Sequence, residues 1–147
     1  MRCVATYTHC ACVILLILAI AIPNLRTTHL TSNEAAVIRE VLTIHQAQVQ
    51  YLSLFGTDAT NLSKLGPPGA GIGDGPQAAN LIPASLASGE KNGYLFTLSQ
   101  SPTGFSVHAS PKSYGGAGRR TFYLDQNGVV RQNWGPEPAT EQSPEVQ

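Results

Sequence analysis

Between Cys12 and Leu25 the chain reads CVILLILAIAIPNL, an apolar run closed by a proline. A helix built from this run is apolar on every side and offers no face to water. It has to be buried in lipid, in a bundle of like helices or in an export channel. Pro23 lacks an amide donor and kinks any helix running through it. The following stretch, Thr27 to Phe55, is amphipathic and continues the same rod. The rest of the fold has to be arranged around an apolar anchor joined to an amphipathic stem.

The strictly apolar segment, Ala11 to Ile22, falls short of the ~20 residues a spanning helix needs. Two readings stay open. One is a signal peptide, with Arg2 ahead of the run and Ala19-Ile20-Ala21 as a small-x-small cleavage pattern. The other is a retained anchor. Arg2 and Arg26 flank the run and nearly cancel, so charge asymmetry sets no orientation.

Cys3, Cys10 and Cys12 all lie in or beside this run, and no cysteine remains for a disulfide further on. A Cys10–Cys12 pair without a distal pair is a poor zinc site, so the three read as small apolar residues of the anchor. Only 12% of the 147 residues are charged and the net charge is zero. That gives no electrostatic footprint for nucleic acid and suits a subunit packing against copies of itself.

In the stem, Thr31 and Glu34 have the spacing of a capping box. From there Ile38, Val41, Leu42, Val49, Leu52 and Phe55 recur at three-four spacing, with His45 and Gln48 on the same stripe. Gly56 stands where such a helix stops. His45 reads as a packed histidine, since His9, His29 and His108 offer it no metal-ligand spacing. Between residues 57 and 92, the stretch Pro67 to Pro76 is rich in proline and glycine and reads as a flexible surface loop. Its glycines fail the dinucleotide pattern at Asp74 and Pro76, and no Gly-Lys-Ser/Thr follows. Leu81, Ile82 and Leu86 are expected to tuck a short turn beneath the head.

After Gly93 the period becomes two. Tyr94, Phe96 and Leu98 alternate with polar or outward positions, as do Phe105, Val107 and Ala109, around a Ser101-Pro102-Thr103-Gly104 turn. A third strand runs over Thr121 to Gln126, and Asn127-Gly128 is a strong hairpin signal leading to a fourth, Val129 to Gln132. The segment 136–147 has the composition of a disordered tail. The chain is therefore expected to be α+β. It divides into an anchor helix (1–25), a stem helix (26–56), a loop (57–92), an antiparallel head of three to four strands (93–135) and the tail. Ile38, Val41, Leu42, Val49, Leu52 and Phe55 are expected to pack on Tyr94, Phe96, Phe105 and Val107 as the helix–sheet core.

The stretch Ala19-Ile20-Ala21-Ile22-Pro23-Asn24-Leu25 resembles the end of the N-terminal helix of type IV pilins and type II secretion pseudopilins. Asn33-Glu34-Ala35, the Gln48-to-Tyr51 spacing and the strand pair Gly118 to Arg131 are similar to those chains too, so the resemblance covers residues 14–131. It implies a pilin-like fold and a single pass through the bacterial inner membrane with the head in the periplasm or in an extracellular filament. It also implies partners among its own copies, other pilin-like subunits, inner-membrane lipid and the pilus or secretion assembly machinery. Ile14, Leu15, Leu16, Leu18, Ile20, Ile22 and Pro23 then form the membrane and filament core.

The chain departs from the family at its start. Where the family has a glycine, a phenylalanine and a glutamate, this chain has Met1, Arg2 and Thr6. Thr6 cannot supply the buried charge that sets register between neighbouring subunits. Either a leader lies upstream of Met1 or processing no longer recognises this relative. The pseudopilin calcium loop is not expected, because Asp125 has only Glu137 of the tail for company.

Three functions follow for testing. The favoured one is a structural filament subunit. The second is a small secreted or periplasmic domain released after Ala21. An enzyme is the least supported, since Glu34, Glu40, Asp58, Asp74, Glu90 and Asp125 are dispersed and no nucleophile–base pair has a local signature. No catalytic, cofactor or metal residues are expected.

Overall fold

The computed structural model describes residues 3–101 and 103–147, with side chains from His29 onward. The side chains of Ile14, Leu15, Leu16, Leu18, Ile20, Ile22 and Pro23, the three cysteines, Thr6 and the Ala19–Ala21 pattern lie outside the described residues. Among the described residues no helix is long and apolar enough to cross a membrane.

Helix α1 spans Cys3–Phe55, with short helices α2 (Leu62–Leu65) and α3 (Ala84–Ala87) after it. Five strands follow: β1 (Glu90–Lys91), β2 (Tyr94–Ser101), β3 (Gly104–Pro111), β4 (Arg120–Asp125) and β5 (Val130–Trp134). They pair antiparallel in chain order as one meander. The architecture is α+β, one helix on a five-stranded sheet. The extra strand is β1, which comes from the stretch read as loop.

The helix ends at Gly56, whose φ of +74° and N–H bond to Leu52 O (2.8 Å) make a left-handed stop. No helix starts at Thr31. Both Thr31 and Glu34 lie inside α1, and the Glu34 carboxylate turns to the sheet rather than back to a cap. Leu30, Glu34, Val37, Val41, Ile44, Gln48 and Tyr51 are buried, in steps that alternate four and three. That spacing keeps one stripe against the sheet over the whole stem.

The expected stripe therefore needs correction. Val41 is buried, and Ile38 and Phe55 are partly buried against the core. Leu42, Val49 and Leu52 instead face solvent, at 37%, 53% and 45% exposure. At 3.6 residues per turn, the observed face lies roughly a sixth of a turn from the expected one. Apolar side chains populate both faces. The buried one is the face whose polar members, Glu34 and Gln48, find partners, because an unpaired buried polar group is costly.

On the sheet side, Tyr94, Phe96, Phe105 and Val107 are all buried, beside Leu98, Ala109, Phe122 and Leu124. The β2–β3 register runs unbroken from Tyr94↔Pro111 to Ser101↔Gly104. The β4–β5 connection is longer than a two-residue turn. Gly128 N–H closes on Asp125 O (3.0 Å), and only Gly128, not Asn127, takes positive φ. The Asp125 carboxylate accepts the Asn127 N–H (2.9 Å) and its side-chain amide (3.1 Å), which holds that wider turn.

Residues 57–92 are clipped to the helix. The buried Gln48 amide donates to Ala59 O (2.8 Å) and accepts Ala59 N–H (2.9 Å), while Tyr51 hydroxyl donates to Pro76 O (2.6 Å). Leu62, Leu65, Ala79, Ile82 and Leu86 add a lobe to the core. Residues 136–147 also lie on the sheet, against the compositional reading. Ala139 is buried, Thr121 hydroxyl donates to Glu137 O (2.7 Å), and Gln132 N–H and Val146 N–H bond to Pro144 O and Val130 O. The tail is ordered by backbone bonds to β5, a contribution that composition does not report.

Candidate functional site

The stem and sheet are locked at Glu34, in the stem part of α1. One carboxylate oxygen accepts Arg119 N–H (2.7 Å) and the other accepts Arg120 Nε (2.8 Å). Both charged side chains are largely withdrawn from water, at 6% exposure for Glu34 and 15% for Arg120. Arg120 also donates through Nη1 to Gln132 Oε1 (2.6 Å). Its guanidinium lies 5.0 Å from the Trp134 ring centre and 5.4 Å from that of Phe122. Both carboxylate oxygens and the Nε and Nη1 of the guanidinium are thus engaged, the kind of setting in which a buried ion pair is tolerated.

Tyr94 completes the cluster, donating its hydroxyl to Arg120 O (3.0 Å). Burial pushes its phenol above the ordinary tyrosine range, and the nearby Glu34 charge pushes it further, against a smaller opposing effect of Arg120. The phenol stays protonated and works as a donor. Gly118 lies directly under this ring, where a Cβ would overlap the hydroxyl. Beside the lock, a cleft of about 150 Å³ is lined by Leu30, Thr31, Glu34, Arg119 and Trp134. Both Glu34 oxygens on the wall of this cleft are engaged, one by Arg119 N–H and one by Arg120 Nε.

A second cleft, of about 250 Å³, is lined by Ser101, Thr103, Tyr123, Asp125, Gln126, Asn127 and Glu141. Asp125 is occupied in its own turn, and Gln126 donates to the Thr103 hydroxyl (3.4 Å). Burial raises the Tyr123 phenol, with the Asp125 and Glu141 charges adding to it and Arg131 opposing. His108 sits edge-on to Tyr123 at 5.0 Å, and burial lowers its imidazole. Among the described residues no group of three or more His, Cys, Asp or Glu could hold a metal ion.

The dispersed acids are placed apart. Glu40 pairs with Lys91 (2.6 Å) and Glu90 with Lys112 (2.7 Å), while Glu34 and Asp125 belong to the two clusters above. His45 is half-buried between the helix and the β4–β5 turn, with Nε2 3.2 Å from Gln126 O and its ring 5.7 Å from Phe105. Sequence reasoning took Glu34 for a cap partner and missed Arg120, Gln132 and Trp134. The available signal was an acid set among Val37 and Val41 on one helical stripe, which demands a buried cation opposite. No known protein family matches the chain, and neither does any curated protein or solved structure.

Proposed function

We propose that the chain is a pilin-like structural subunit of a type IV pilus or type II secretion pseudopilus. In this reading it is held in the inner membrane by its apolar run, with the head in the periplasm. The observation that carries the reading is the helix Cys3–Phe55, one element bearing both the apolar run and the face packed on a small antiparallel sheet. Its activity is assembly. Ile14, Leu15, Leu16, Leu18, Ile20 and Ile22 pack against neighbouring helices through dispersion and close fit, and Pro23 lets the rod bend on leaving the bilayer. Thr6 stands where the family has its register-setting glutamate, and in this reading side-chain packing sets the register.

A charge in the middle of the run tests this directly. Aspartate at a helix centre costs about 2.5–3.5 kcal/mol on insertion, so Leu18→Asp is expected to abolish incorporation into filaments. Normal incorporation of that variant sinks the reading. The second function is a domain released after Ala21; Leu30, Val37, Val41, Ile44 and Tyr51, which pack in the core, all follow that site and stay with the released chain. Intact mass and the N-terminal residue, measured in membrane and soluble fractions, separate the two. A soluble chain starting at Ile22 establishes release, and a membrane-bound chain retaining the apolar run supports the subunit.

A further inference from the structure

The two edges of the sheet are finished differently. On the β5 side the chain closes its own edge, since Gln132 N–H and Val146 N–H bond to Pro144 O and Val130 O. Arg131 adds an ion pair to Glu145 (3.4 Å) and a bond to Ser143 O (3.0 Å). On the β2 side the cover is short. Strand β1 pairs only with Tyr94 and Leu95, and one further bond runs from Phe96 N–H to Gly89 O (2.8 Å). Because Phe96 points its amide outward, strand alternation makes Leu98 and Gln100 do the same. Among the described residues, no backbone or side-chain hydrogen bond reaches those outward groups.

This bare edge also lacks the usual protection. Natural edge strands carry lysine or proline to repel another strand, yet no Asp, Glu, Lys or Arg lies between Lys91 and Lys112, and β2 contains no proline. Thr97, Ser99 and Gln100 are exposed along it. We propose that the outer edge of β2 pairs antiparallel with β2 of a second copy of this chain, about a two-fold axis at Ser99. Leu98 of each copy then exchanges both hydrogen bonds with Gln100 of the other, and Ser99 faces Ser99 in the closer, non-hydrogen-bonded position. No like charges meet anywhere along the pair. With β5 sealed by the tail, β2 cannot join to β5 of the next copy, so the contact closes as a dimer instead of growing into a fibre.

The two-fold axis stands normal to the sheet, which leaves the two α1 helices pointing in opposite directions. The pair therefore does not form between copies anchored side by side in one membrane; it belongs to the released chain, and its failure leaves the filament reading standing.

Cysteine placement tests the register in the full chain in detergent. Ser99→Cys puts two thiols within disulfide reach across the axis, while Thr97→Cys leaves them about 13 Å apart, four residues out of register. After mild oxidation and trypsin, the linked species is read as peptide 92–112 joined to itself, a mass distinct from the peptide holding Cys3, Cys10 and Cys12. The expected result is self-linkage for Ser99→Cys and its loss for Thr97→Cys. Adding Gln100→Pro to Ser99→Cys removes an outward N–H that the β2–β3 ladder does not use, so the link should be lost with the fold retained by circular dichroism. No linkage at Ser99, equal linkage at both positions, or linkage that survives Gln100→Pro in the folded chain each overturns the proposal.

Discussion

At the scale of single residues, the molecule is held by polar side chains buried with all their partners in place. Glu34 neutralises Arg120 where water is largely excluded, so Glu34→Ala leaves a cation without compensation. The expected loss is about 3–5 kcal/mol, read as a lower urea midpoint with unchanged slope. His108 gives the fold a pH dependence of definite sign. Burial lowers its folded value, so as pH falls below the ordinary imidazole range near 6.5 the unfolded chain takes up a proton that the folded chain resists. Stability is then expected to fall with falling pH in that window and to flatten in His108→Gln, as measured by thermal unfolding at a series of pH values. Neither Glu34 nor His108 could be assigned its role from position alone. An acid three residues after a threonine has the look of a cap, and only the arrival of Arg119 and Arg120, 85 and 86 residues further along, turns it into a lock.

At the scale of elements, the question is which face of α1 meets the sheet. Ile44 is fully buried, whereas Leu42 is 37% exposed. Ile44→Ala is expected to cost about 2–5 kcal/mol and Leu42→Ala to stay near 0.5, with chemical denaturation of both variants as the check. A reversal of that order would put the expected stripe back against the sheet. The helix itself was legible, because three-four spacing and Gly56 are local signals. Its roll was not, since Ile38, Leu42, Val49 and Leu52 make as apolar a stripe as Val37, Val41 and Ile44. Strands β2 and β3 were legible for a related reason: a period of two admits only two faces, and the larger side chains select one. The two-residue strand β1 has too few residues to show any period.

At the scale of the whole molecule, the tail decides how the sheet meets its surroundings. Removing residues 136–147 uncovers Thr121 and opens β5. The truncated chain is expected to form concentration-dependent oligomers larger than dimers, measured by light scattering, because an open β5 can accept the open edge of β2. Elements whose physics is local could be read from the residues alone: the all-round apolar run, the amphipathic stem and its glycine stop, the two hairpins and the α+β class. Tertiary structure decided the roll of the stem, the lock at Glu34, the ordered loop on Gln48 and the seating of the tail. Each of those depends on a polar group finding a partner far away in the chain. Periodicity records how far a residue stands from its neighbours along the sequence, and it carries no information about which distant donor or acceptor will offset the cost of burial.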